Sequence, residues 1–398
     1  MQKIFIAGIG QTPVRENWEK SLKELAGDAA LLALEDANLG YPEGLFVGNM
    51  MSGSANHQLQ LGALLADWLG MHHREAFGLE AACGSGAAAF RAGLMAVASG
   101  ELSSALIVGG EKMTDSPLAE ITASLATAAD ADLEGDFGVS FVALNALIMQ
   151  RYMHEYGWGT SDFAAFSINA HKNAVHNPYA RFNKAISLSD YERAGMVCEP
   201  INLLDASPVS DGAAAIVLSA TPPPTGRRIR IAASSAASDS ISLQHRKNPL
   251  RLFAAEESAK KAYAQAGISP RDIDLFEYHD AFSIMAALSL EAAGFCEPGQ
   301  APRLANDGEI AIQGQIPVAT LGGLKARGHP VGATGVYQLA EVVLQLRGDA
   351  GLNQVEGANW GMSQNIGGSG SNIITHLSLL HISEPTRLLS ISSAVFCL

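Results

Sequence analysis

The sequence predicts an α/β protein of two similar halves sharing a central helical layer, five layers in all, with a long insertion in the first half. Three observations lead there. The order of apolar strand, amphipathic helix and strand occurs twice along the 398 residues. Each copy then sets a glycine-punctuated turn ahead of a helix rich in small residues. A stretch over residues 114–209 interrupts the first copy and has little symmetry with the second.

In the first copy, residues 3–9 form a short apolar strand, followed by a helix that starts at Ser21. Ser21 and Glu24 make a capping box, Leu22, Leu25, Ala29 and Leu32 make the apolar stripe, and Gly40 is read as the stop. A strand over 45–50 comes next. The second copy opens after the breaker Pro222-Pro223-Pro224-Thr225-Gly226, with a strand over 228–232, a helix over about 252–266 stopped by Gly267, and a strand over 275–280. The glycine turns are Cys83-Gly84-Ser85-Gly86, before a helix over 87–99, and Gly328-His329-Pro330-Val331-Gly332, before a helix over 333–347. Apolar strands over 105–110 and 354–362 follow, and the alternation predicts a mostly parallel sheet in each half. The halves are placed at 1–221 and 227–376. The insertion, with Tyr152, His154, Tyr156, His171 and His176, is read as a lid over a site. From about Leu377 to residue 398 the string breaks the strand–helix logic and resembles translated sequencing adapter, so Cys397 carries no functional weight.

Composition narrows the function classes. A formal charge of -14 argues against a broad nucleic-acid surface. No apolar run approaches the roughly 20 residues a membrane span needs, and no leader pattern is visible, so the expected location is cytoplasmic. The four cysteines lie far apart without a CxxC pair, which suggests neither a disulfide framework nor a zinc site. An anionic ligand would need a basic patch, and Arg227, Arg228, Arg230, His245, Arg246, Lys247 and Arg251 make the densest candidate, although a solvated face explains such a run equally well.

Three residues carry candidate chemistry. Cys83 opens a helix, where backbone N–H groups and the helix dipole favour a thiolate of lowered pKa. His329 is fixed between Gly328 and Pro330, placed to take a thiol proton and then to stabilise an oxyanion. His279 emerges at a strand end, where α/β sheets put reactive groups. A buried small hydrophobe and a structural histidine are the competing readings of such residues. The turn Gly367-Gly368-Ser369-Gly370 could offer backbone donors.

Taken together and in this order, these residues resemble the thiolase family over the chain to about His376. Ala81-Ala82-Cys83-Gly84-Ser85-Gly86 is similar to the family's nucleophile motif, and Gly328-His329-Pro330 with Gly332-Ala333-Thr334-Gly335 to its Gly-His-Pro motif. The resemblance implies the five-layered αβαβα thiolase fold with a coenzyme A loop domain. It implies acyl transfer on coenzyme A thioesters: Claisen condensation of acetyl-CoA to acetoacetyl-CoA, or thiolysis of a 3-oxoacyl-CoA. By resemblance, Cys83 takes the acyl group, His329 activates it, His279 and His329 hold one oxyanion, and the backbone N–H groups of Cys83 and Gly367 hold the other. Phe282 and the region of Gly138 would line the pantetheine channel.

Neither a metal nor a permanent cofactor is implied, coenzyme A being substrate or product. A homodimer or homotetramer is implied, with a small OB-fold, zinc-ribbon protein as a further partner. The chain departs from most thiolases in having His279-Asp280-Ala281-Phe282 and Asn365, with no second cysteine at either place. It therefore looks most like the archaeal-type branch, related to the sterol-carrier type, and His279 is the favoured α-proton base. A thiolase-like retro-aldol lyase acting on a 3-hydroxyacyl-CoA and a noncatalytic thiolase-fold subunit are the alternatives.

Overall fold

The computed structural model describes residues 2–381. The first half runs β1 (Ile4–Gln11), α1 (Leu22–Ala37), β2 (Gly44–Gly48), α2 (Ser52–Ala55), α3 (Leu61–Leu69), β3 (Glu75–Leu79), α4 (Ser85–Ala98) and β4 (Ser104–Glu111). The insertion holds α5 (Leu118–Ala126), α6 (Phe141–Tyr156), α7 (Ala164–Ala174), α8 (Leu188–Glu192), β5 (Met196–Cys198) and β6 (Ile201–Asn202). After it, β7 (Gly212–Ser219) closes the half. The second half runs β8 (Arg228–Ser238), α9 (Phe253–Ala266), β9 (Leu275–Glu277), α10 (Ser283–Ala292), α11 (Ala301–Asn306), α12 (Thr334–Arg347), β10 (Trp360–Gly367) and β11 (Asn372–His381).

The strands make one sheet in the order β3-β2-β4-β7-β1-β8-β11-β10-β9. The sequence β2-β4-β7-β1 in one half is mirrored by β9-β10-β11-β8 in the other, and the halves meet where Ile4–Ile6 pair antiparallel with Ile229–Ile231. The expected mostly parallel sheet is mixed instead. Strands β2, β3 and β4 pair parallel, as do β9 and β10, but β7 and β11 return antiparallel. The short turn at Gly368–Ser371 makes β10 and β11 a hairpin, which can only be antiparallel.

Layering follows from where the apolar faces point. Leu25, Ala29 and Ala33 of α1 and Leu65 of α3 pack on Leu106, Val108 and Val217 at the outer face of the first half. Phe90 and Leu94 of α4 and Val336, Leu339 and Val343 of α12 fill the space between the halves. Helices α9 and α10 cover the other outer face with Ala255, Ala259, Ile284 and Leu288. Each fully buried Val, Leu or Ile contributes about 1.5–3 kcal/mol, so this central layer is a major source of stability. The layering is the five-layered αβαβα arrangement expected from the sequence. Glycines let α4 and α12 approach at their N-terminal ends: a Cβ on Gly86 would lie 2.7 Å from Gly332 O, and one on Gly335 would lie 2.5 Å from Ala87 N.

Several expected boundaries shift. The capping box at Ser21 is present, with Ser21 N donating to Glu24 Oε2 at 2.8 Å, but α1 ends at Asn38 in the left-handed region, two residues before Gly40. Asparagine tolerates that conformation through its own polar side chain. Strand β10 starts at Trp360, because the segment from Gly351 to Asn353 is a 3-10 turn held by Gln345 Nε2 donating to Asn353 O. Leu377–His381, assigned to the aberrant tail, continue β11 and pair with both β8 and β10, and Leu377 is buried in the core. The rest of that tail, with Cys397, lies outside the described residues. No helix among the described residues is long and apolar enough to cross a membrane.

Candidate active site

Cys83 lies in a tight turn between β3 and α4. Gly84 N donates to Ala81 O at 2.9 Å and Ser85 N to Ala82 O at 3.1 Å, and Ala82 is held at φ +51°, a left-handed conformation alanine seldom adopts. Ser85 Oγ stabilises that turn by accepting from Ala81 N at 2.9 Å and donating to Ala82 O at 2.6 Å. The result is a buried thiol packed with Met51, Met113 and Val331. Gly84 is the N-cap of α4, so Cys83 precedes the first helical turn instead of standing in it. Burial, and second the Glu111 carboxylate, push the thiol up to about 12. The expected lowering by the helix dipole is therefore outweighed, and the resting group is a neutral thiol.

Two imidazoles converge on that thiol. A donor atom from each of Cys83, His279 and His329 lies within 4.8 Å of the others, although the residues are up to 246 positions apart in the chain. The two rings meet edge-on, with centroids 5.0 Å apart. His279 follows β9, whose end is held by α12: Gln338 Nε2 donates to Tyr278 O at 2.7 Å. His329 sits in a turn entered through Gly328 at φ +110°, a value open to glycine alone among ordinary residues. Burial first, then Arg327, drives His279 down to about 3, and burial, His279 and Arg327 drive His329 well below its usual range. Both rings are neutral at pH 7.

The partner of each Nδ1 sets the role open to each Nε2. Asn365 Nδ2 donates to His279 Nδ1 at 3.0 Å, so Nε2 of His279 carries the hydrogen. In this orientation Asn365 Oδ1 has no hydrogen-bond partner among the described residues, and the reverse orientation would leave an NH2 there instead, the rarer kind of buried orphan. His329 Nδ1 lies 2.7 Å from Thr334 Oγ1, a hydroxyl that can accept its N–H and leave Nε2 as a base. Asn365, Thr334 and Glu111 were not singled out for these contacts from the sequence. Thr334 gave a signal only as part of a glycine-dense motif, Asn365 only as a place where a second cysteine is missing, and Glu111 gave none.

Cys83, His279 and His329 all line a cavity of about 460 Å³ with largely apolar walls. Phe282 lines it too, 6.4 Å from the Phe141 ring, and Leu118, Val197 and Leu203 of the insertion add to the wall. Gly138 does not line it: it lies exposed at φ +74° ahead of Ser140, the N-cap of α6, and Ser140 and Phe141 take the lining position. Gly367 packs on the turn bearing Cys83: its N lies 3.5 Å from where a Cβ on Gly84 would stand. The basic run does not reach the cavity lining. Arg246 Nη1 donates to Ser369 O at 2.5 Å, and Arg251 forks onto Glu256 at 2.9 and 2.6 Å, so these two cations serve internal contacts. Tyr152 and His171 of the insertion are buried away from the cavity.

The family model described as "Thiolase, N-terminal domain" matches residues 4–221, and that described as "Thiolase C-terminal domain-like" matches residues 235–378. An acetyl-CoA acetyltransferase of Methanothermobacter thermautotrophicus is 42% identical over 95% of this chain and 99% of its own length. Among solved structures, the Ltp2-ChsH2(DUF35) aldolase aligns with a TM-score of 0.82 at 26% identity, over 94% of this chain and 97% of that one. Human mitochondrial 3-ketoacyl-CoA thiolase in complex with CoA shares the fold, with a TM-score of 0.73 at 17% identity over 96% and 98%. With a thiol and two imidazoles gathered in one apolar cavity and family models spanning both halves, this chain belongs to the thiolase family and is an acyl-transferring enzyme of that family.

Proposed function

We propose that Cys83 accepts the acyl group, that His329 is its general base, and that His279 donates to the thioester oxygen. The single observation that carries this is the convergence of the three side chains within 4.8 Å at an apolar cavity. As a thioester enters, Nε2 of His329 takes the Cys83 proton and the sulfur attacks the carbonyl carbon. The N–H groups of Cys83 and Gly367 receive the oxyanion. Collapse expels coenzyme A, which leaves as a thiol with the proton from His329, and acyl-Cys83 remains.

A second acetyl-CoA then loses an α proton. The sequence favoured His279 for that step, but an Nε2 that carries hydrogen is a donor, so we assign the proton to Nε2 of His329 and the enolate oxygen to His279. The carbanion attacks acyl-Cys83, and collapse releases acetoacetyl-CoA and the cysteine, reprotonated by His329. Thiolysis is the reverse. No resident metal or cofactor enters these steps, and coenzyme A is substrate or product. A retro-aldol cleavage is suggested by the aldolase neighbour, but it needs no acyl acceptor and leaves Cys83 without a task.

The same reading includes a lid over residues 114–209 that supplies the apolar wall. It includes a homodimer or homotetramer, supported by the exposed edge strand β3, and a cytoplasmic place, supported by the free thiols of Cys83, Cys198 and Cys296. A small OB-fold, zinc-ribbon partner is supported by the neighbour solved with a DUF35 component.

The test is exchange of the α hydrogens of acetyl-CoA with heavy water, followed by mass spectrometry. His279→Asn, which keeps a donor, should retain exchange. His329→Ala should lose it, with acylation slowed by roughly 100- to 10,000-fold as for a missing general base. Exchange lost in His279→Asn and kept in His329→Ala would return the base role to His279.

A further inference from the structure

Glu111, at the end of β4, is fully buried and does not line the cavity. Its Oε1 accepts from Asn49 Nδ2 at 2.7 Å and from Met51 N at 3.0 Å. Its Oε2 accepts from Met50 N at 3.0 Å and from Gly332 N at 2.9 Å. Two N–H donors therefore aim at each oxygen. A carboxylic acid would turn its O–H against one of these pairs, so the arrangement fits the ionised carboxylate alone.

The donors come from the two segments that wall in the thiol. Met51 belongs to the segment after β2, and Gly332 stands three residues after His329, next to Val331. Cys83 shares one buried cluster with Met51 and Val331. The fit is close, because a Cβ on Gly332 would lie 2.5 Å from Glu111 Oε2. We infer that Glu111 is a positioning residue for acyl transfer: its carboxylate ties the turn bearing His329 to the segment that backs Cys83, and so fixes the path of the thiol proton. This rests on the reading of Cys83 and His329 as the reacting pair.

A pH dependence follows. Burial raises Glu111 to about 7 while its four N–H donors pull it back. The groups facing Cys83 are Glu111, Glu80 and the two imidazoles, and both imidazoles stay neutral through this range. Lys112, the next residue in the chain, is occupied by Asp115 and Asp211. As the pH falls through about 7, Glu111 takes a proton, one of its donor pairs loses its acceptor, and acylation should fall with it.

The experiment is single-turnover acetylation of the whole enzyme by acetyl-CoA across pH 6 to 8 (a range about one unit either side of neutrality), read by quenched mass spectrometry. Glu111→Gln sets an NH2 against one donor pair. It should lower the maximal acylation rate about 10- to 100-fold, as misplacement of a reacting group does, with half-saturation by acetyl-CoA little changed. It should also abolish the acid limb near pH 7, which mere loosening of the fold would not remove. A parental rate with an unchanged acid limb overturns the inference. Should Glu111→Gln fail to fold, Asn49→Ala removes one donor and keeps the charge; it should slow acylation and move the acid limb to higher pH, and parental behaviour in both respects overturns the inference. Acetyl label persisting in Cys83→Ser would instead overturn the reading of the reacting pair.

Discussion

Cys83, His279 and His329 share one desolvated environment, and each is driven towards its uncharged form by it. A thiol and an imidazole that are both neutral can exchange a proton when substrate arrives, and no isolated charge is buried before then. The same physics acts on His376, which lies edge-on to Phe90 with centroids 4.7 Å apart and is pushed by burial, then by Arg91, down to about 3. The ordinary value is 6.5, so the unfolded chain takes the proton first as pH falls. The stability it carries is complete above 6.5 and declines below it, towards 3, by ~1.4 kcal/mol per pH unit. Urea melts of the parent and of His376→Leu should therefore show a gap that is constant above 6.5 and narrows in acid; a gap independent of pH would mean that His376 titrates normally. Cys83, His279 and His329 were legible because each stands in an unusual local setting of glycine, proline or a strand end. Glu111 and Asn365 were not, since what gives them meaning lies 221 residues away at Gly332 and 86 residues away at His279.

At the level of elements, local chemistry was readable where the signal was local. Ser21 with Glu24 marked the start of α1, and Gly267 marked the end of α9. Pairing was less readable, because the antiparallel return of β7 follows the whole insertion and its partners β1 and β4 lie far back in the chain. Strand β3 was not predicted at all: it is five residues long and mostly exposed. The end of β11 shows the cost of judging a strand by sequence style. Leu377–His381 read as foreign to the pattern, yet Leu377 pairs with Ala233 and Met362, and Leu380 N donates to Asn359 O at 2.9 Å. Truncation after His376 should lower the melting temperature by several degrees at least, since it strips ladder bonds from both neighbours and removes a buried leucine worth about 2–5 kcal/mol. An unchanged melting curve would show that this end of β11 contributes nothing to the fold.

At the scale of the whole molecule, the two halves explain the site. Each contributes one glycine turn at the N-terminal end of a central helix, and close approach of α4 and α12 brings Cys83 and His329 together. The repeat and the five layers could be read from the sequence, whereas the joining of the halves into one sheet through β1 and β8 could not, because three residue pairs leave no pattern. Among the described residues β3 is an edge strand that leads directly into the turn bearing Cys83, and Phe77 on it is 53% exposed. Phe77→Glu should convert the proposed dimer into a monomer by light scattering with the fold retained; an unchanged mass would place the interface elsewhere. The account stands or falls on the acyl-cysteine. Peptide mass mapping after mixing the enzyme with acetyl-CoA should find one acetyl group on the peptide bearing Cys83, and none in Cys83→Ser of unchanged circular dichroism. An acetyl group on any other residue, or one that persists in Cys83→Ser, would contradict it.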